Sequence, residues 1–136
     1  MKKTTAHFMV LIGCLFLLSG CRFIRIEDEP RKPLEYSIVK SEDIPQELKT
    51  LIQEKKEKEF QLTYQSEKDL FLIKGYGLQM CGGYSISVEE LGVTSQAVFF
   101  KTQLIGPSDR KAELSPPSYP YIVIRTEYRK EPVIFE

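Results

Sequence analysis

The first apolar feature of the chain is an uninterrupted run from Phe8 to Leu18, preceded by Lys2 and Lys3. That is the pattern of a secretory signal, and it falls short of the roughly 20 apolar residues a spanning helix needs. Residues 22–33 then mix charge and proline with few apolar positions, which is too little to build a core and reads as a tether. Residues 35–40 read as a short strand. Ser41, Glu42 and Asp43 place side-chain acceptors ahead of Pro45, the pattern of a helix start. Ile44, Leu48, Leu51 and Ile52 follow on one stripe and predict an amphipathic helix to about residue 57. Its charged end includes Glu54 and Lys58 at the favourable i, i+4 spacing.

From Phe60 onward the period changes to two, with Phe60, Leu62 and Tyr64 and later Tyr84, Ile86 and Val88 on alternating positions. Further strands are expected at 69–75, 96–105, 121–127 and 132–135. Turn chemistry separates them at 66–68, 90–95, 106–111 and 129–131. The expected fold is α+β: one amphipathic helix packed on a mainly antiparallel sheet, arranged as a meander or a partly closed barrel.

Composition narrows the chemistry. Leu18, Ser19 and Gly20 precede Cys21, and this quartet resembles the bacterial lipobox. The resemblance implies cleavage after Gly20, transfer of a diacylglyceryl group to the Cys21 thiol, and a new amino terminus open to acylation, as with palmitate. One chain is a marginal anchor and two make a durable one. The expected organisation is a signal over 1–20, a lipidated tether over 21–33 and one small domain over 34–136. The mature chain is then anchored at the cell membrane or an outer membrane, on its extracytoplasmic face. Arg22 and Arg25 would add weak attraction to anionic head groups.

Basic and acidic residues number 19 each, and loss of Lys2 and Lys3 tips the mature chain slightly acidic. Nothing in that balance invites nucleic acid. The single histidine, His7, lies in the segment that is removed. Histidine-based triads, cysteine–histidine pairs and histidine-containing zinc sites are thereby excluded. With Cys14 discarded and Cys21 acylated, Cys81 is the one remaining thiol of the three in the sequence. No intrachain disulfide is open to it; it is buried, paired between molecules, or reactive. No metal or further cofactor is expected, and the chain is read as no enzyme.

The least ordinary stretch runs from Gly75 to Tyr84, with Gly77, Gly82 and Gly83 inside it. It is no phosphate loop, because Met80 stands where the third glycine of G-x-G-x-x-G belongs and a strand follows. Glycine here points to positive φ angles and bulges in a strand-to-strand crossing. Ser115 to Tyr121, with Pro116, Pro117 and Pro120, is a second rigid loop that presents Tyr119 and Tyr121, and Tyr119–Pro120 is a candidate cis bond. Leu72-Ile73-Lys74, the glycine loop, Gly82-Gly83-Tyr84-Ser85-Ile86 and Tyr119-Pro120-Tyr121 together resemble the PrcB C-terminal family, over about residue 70 to the end. That family is named for a protein that stabilises a bacterial surface protease complex. Its members often carry Thr-Gly-Gly-Tyr after a proline, whereas Met80-Cys81 precede Gly82 here.

The resemblance implies a noncatalytic module that binds a protein in the envelope, a protease being one such partner. Cys81, Gly82, Gly83 and Tyr84 are expected to join Tyr119, Pro120 and Tyr121 in one contact surface. Two other readings stand beside it. A small-ligand-binding envelope lipoprotein requires a deep apolar pocket. An enzyme using Cys81 requires Lys74, Lys101 or a helix terminus to hold the thiolate.

Overall fold

A computed structural model describes residues 29–136. The signal segment, Cys21 and most of the tether lie outside the described residues. The elements are β1 (Lys32–Pro33), β2 (Tyr36–Ile38), α1 (Gln46–Lys55), β3 (Glu59–Ser66), β4 (Asp69–Tyr76), β5 (Ser85–Val93), β6 (Val98–Ile105), α2 (Arg110–Glu113), β7 (Tyr121–Glu127) and β8 (Val133–Phe135). They form two four-stranded sheets, sheet I in the order β1-β5-β6-β8 and sheet II in the order β2-β7-β4-β3. All pairings are antiparallel except that of β6 with β8.

The fold is α+β as expected, but among the described residues the single expected sheet is corrected to two, with no closed barrel. The reason lies in β4 and β7, the central strands of sheet II. Leu70, Phe71, Leu72 and Ile73 are buried in succession, as are Ile122, Val123 and Ile124. Successive side chains point to opposite faces of a sheet, so such runs require cover on both. On one face Leu70, Leu72, Ile122 and Ile124 meet Leu91, Val93, Val98 and Phe100 of sheet I. On the other, Phe71, Ile73 and Val123 meet Ile44, Leu48 and Ile52 at α1. Of the helix stripe read from the sequence, Ile44, Leu48 and Ile52 dock, while Leu51 is only half-buried.

Three local expectations change. Ser41–Asp43 form a separate 3-10 turn, and α1 starts after Pro45 with no side-chain cap. The helix stops at Lys55, before the expected residue 57. The turn expected over 90–95 is mostly strand, because β5 runs to Val93 with Leu91 and Val93 buried, and the reversal follows at Thr94. Thr94 Oγ1 accepts from the Gln96 and Ala97 N–H groups at 3.1 and 3.3 Å and closes that reversal.

Residues 29–33, read as tether, lie along sheet I. Lys32 and Pro33 pair with Val93 and Gly92 of β5. Arg31 is bonded to Glu90 and to Glu136, each at 2.9 Å, and its guanidinium lies 3.6 Å from the centre of the Phe99 ring. A Cβ on Gly92 would come within 3.2 Å of the Arg31 Cβ, so glycine admits the strap. Hydrogen bonds, charge and a cation over an aromatic face hold this segment in place of apolar burial, which is why hydropathy misses it. At its start the Glu29 carboxylate accepts the Ser95 N–H at 2.9 Å and the Ser95 hydroxyl at 2.6 Å. The Ser95 hydroxyl and N–H hold the Glu29 carboxyl below its ordinary pKa. A lowered folded-state pKa gives stabilisation that is present above the unfolded value and lost as pH falls through the folded one. Hydrogen exchange at the Ser95 amide is therefore expected to lose protection on acidification below the ordinary carboxylate range, and Glu29→Gln to remove most of that pH dependence.

Candidate interaction surface

Both sheets end, on one side of the domain, in the connections that the sequence marks as unusual. Residues 77–84 carry the chain from β4 in sheet II to β5 in sheet I, and residues 106–120 return it from β6 to β7. The first crossing needs the left-handed backbone, with Gly77 at φ 73° and Gly83 at φ 81°. Glycine reaches these angles without strain, in line with the reading of this stretch as a crossing and not a phosphate loop.

The two loops are bonded to each other at several points. Gln79 and Ser118 form an antiparallel bridge, with N–H···O distances of 2.8 and 3.0 Å. The Ser118 hydroxyl donates to the Cys81 carbonyl at 2.7 Å, and the Gly82 N–H donates to Ser115 Oγ at 2.7 Å. The Tyr76 N–H reaches the Pro120 carbonyl at 3.0 Å. At Gly83 the contact is steric: a Cβ there would lie 2.6 Å from the Ala112 Cβ and 2.9 Å from the Pro107 Cβ. Cys81, Gly82, Gly83, Tyr119 and Pro120 thus belong to one rigid unit.

Within that unit the expected contact residues differ. Gly83 is exposed, while Cys81, Gly82, Tyr84, Tyr119 and Pro120 are half-buried. Tyr119 has Lys56 Nζ 4.9 Å from its ring centre. Tyr121 is also half-buried; it opens β7 and packs against the α1 cluster. The Tyr119–Pro120 bond is trans, since no cis peptide occurs among the described residues. The candidate cis bond is withdrawn.

Sequence reasoning missed the apolar tips. Seven large hydrophobic residues are exposed among those described, and four stand at this end: Leu78, Met80, Ile105 and Leu114. Met80 is 78 % exposed and Leu114 is 88 % exposed. Their signal in the sequence is slight: single apolar residues set among glycine, proline and charge, outside any period. Exposed apolar side chains gathered in one region mark contact surfaces more often than scattered ones do.

Other chemistry is sparse. The Cys81 thiol is half-buried, and the two lysines considered for its activation are engaged elsewhere, Lys74 with Glu59 at 2.7 Å and Lys101 with Glu89 at 3.5 Å. Among the described residues no group of three metal-binding side chains converges. One groove among the described residues, about 640 Å³ beside α1, is open to solvent and lined by residues including Gln46, Lys49, Gln53 and Tyr121. A second, about 520 Å³, lies between Glu35, Asp69, Arg125 and Arg129. Neither is a deep apolar pocket.

No match was found among curated proteins or solved structures. The model of the PrcB C-terminal family, in contrast, matches residues 70–127. This segment spans both bonded loops and the central strands of sheet II, while β1, β2, α1, β3 and β8 lie outside it and complete the layers. It is through residues 70–127 that this chain is similar to the PrcB C-terminal family.

Proposed function

We propose that this chain is a noncatalytic lipoprotein, held through Cys21 on the extracytoplasmic face of a membrane, whose paired loops bind a protein partner. The observation that carries this reading is the presence of Leu78, Met80, Ile105 and Leu114 at one rigid end of the domain. A preorganised loop pair loses little conformational freedom on binding, and large apolar side chains already in water gain from being covered. The family resemblance suggests a surface protease complex as the setting.

The course of the chain supports the same polarity. Glu29 and β1 sit at the β5–β6 reversal, against Ser95 and Val93, while the paired loops adjoin the other ends of these strands at Ser85 and Ile105. At about 3.3 Å per residue the length of β5 sets these two ends roughly 25–30 Å apart. An anchor preceding Glu29 then leaves the loop end directed away from the membrane.

Two measurements test the proposal. An alkyne analogue of palmitate is expected to label the chain in cells and to fail with Cys21→Ala, whose unprocessed precursor accumulates; label retained in that variant contradicts the anchor. A Met80→Glu, Leu114→Glu double variant is expected to fold with stability within about 0.5 kcal/mol of the parent, as exposed changes do. It is also expected to lose the partner captured by mild cross-linking in native membranes. Undiminished capture contradicts the loop surface.

A further inference from the structure

Of the four strands at the sheet edges, three are too short to template another chain. β1 is two residues long and contains Pro33, while β2 and β8 have three residues each. Short edges and proline are devices that prevent edge-to-edge pairing. β3 is different, with eight residues, no proline and no lysine.

Its outward backbone groups can be assigned. Ser66 pairs with Asp69 across a two-residue turn, so this closing pair carries the ladder hydrogen bonds and alternate pairs follow. The Tyr76 N–H points the opposite way, to the Pro120 carbonyl, in the same phase. The N–H and C=O groups of Glu59, Gln61, Thr63 and Gln65 therefore point away from β4. Among the described residues no hydrogen bond is made to them, and all four residues are exposed.

The centre of this edge is self-complementary. Gln61-Leu62-Thr63-Tyr64-Gln65 is uncharged and nearly palindromic about Thr63. We propose that β3 pairs with β3 of a second copy, antiparallel about a two-fold axis at Thr63, joining two copies of sheet II into one continuous sheet. In this register Gln61 faces Gln65 and Thr63 faces Thr63, so the outward N–H and C=O groups of these three residues meet as hydrogen-bonded pairs, while Glu59 falls opposite Glu67, beyond the end of the strand. Leu62 then lies beside Tyr64 of the second copy on the face that α1 covers, where both are half-buried. No like charges meet between Gln61 and Gln65. The seam is on the edge of sheet II, independent of the paired loops, so a dimer and the proposed partner do not compete for the same residues.

The register makes the test specific. Directly paired Cα atoms in hydrogen-bonded antiparallel pairs are about 5.5 Å apart, inside the range of about 4.4–6.8 Å that a disulfide spans. In the full chain carrying Cys81→Ser, Thr63→Cys is expected to give a disulfide-linked dimer on mild oxidation, absent from the same chain without it. Gln61→Cys alone is expected to stay unlinked, because its equivalent lies about four residues, roughly 13 Å, along the seam. A mixture of Gln61→Cys and Gln65→Cys chains is expected to link. Thr63→Pro removes an outward N–H that sheet II does not use, so far-ultraviolet circular dichroism is expected to stay unchanged while the Gln61→Cys with Gln65→Cys link is lost. Failure of Thr63→Cys to link, equal linking by Gln61→Cys alone, or linking that survives Thr63→Pro would each overturn the proposal. A foreign strand captured at this edge gives the first of these results.

Discussion

Phe100→Ala is expected to lower stability by about 3–5 kcal/mol, the range for removing a fully buried aromatic ring. Phe100 is 1 % exposed, lies on β6 in the layer between the sheets, and meets Phe135 edge-on at 5.8 Å between ring centres. Its loss takes away apolar area and leaves a cavity at the point where β6 holds both β5 and β8. Small domains have only about 5–15 kcal/mol in total, so the variant approaches the unfolding threshold at growth temperature. Urea melts followed by circular dichroism will measure it. A loss under about 1 kcal/mol would mean that the sheets are not packed against each other as described.

The second large effect is expected at Gly83. Its φ of 81° strains any residue with a Cβ, and that Cβ would press on Ala112 and Pro107 at 2.6 and 2.9 Å. The left-handed backbone alone costs about 1–2 kcal/mol and overpacking typically about 1–3 kcal/mol. Gly83→Ala is therefore expected to part the two loops, destabilise the domain by a few kcal/mol and weaken capture of the partner more than it weakens the fold. Amide exchange would show where the strain goes: the Gly82 and Ser118 N–H groups, which tie the loops together, should lose protection while β4 and β7 keep theirs. Equal loss throughout would assign Gly83 to the fold as a whole.

Much of this arrangement was legible in the chain. The stripe Ile44, Leu48, Ile52 identified the docking face of α1, and β7 falls at the expected 121–127. The second sheet was hidden because an apolar run such as Leu70–Ile73 reports burial without saying how many layers supply it. Gly92 beside Glu90 looked like turn chemistry, yet the missing side chain makes room for Arg31, a contact between residues far apart in sequence. The joined loops were legible through glycine and proline, because these residues mark conformations other residues avoid. The packing of Tyr121 against the α1 cluster was not legible, because strand alternation, set by the register of β7, decides which way a ring points. Exposure of Leu78, Met80 and Leu114 was illegible, since a lone apolar residue is read as buried until the surrounding packing is known.

The central claim is that the paired loops face a protein partner. It is tested most directly by a photoactivatable cross-linking residue placed at Met80 in the full chain and irradiated on intact cells, with the same residue at exposed Thr50 on α1 as control. One discrete protein adduct from position 80 and none from position 50 is the predicted result. No adduct from position 80, or the same adducts from both positions, would contradict it.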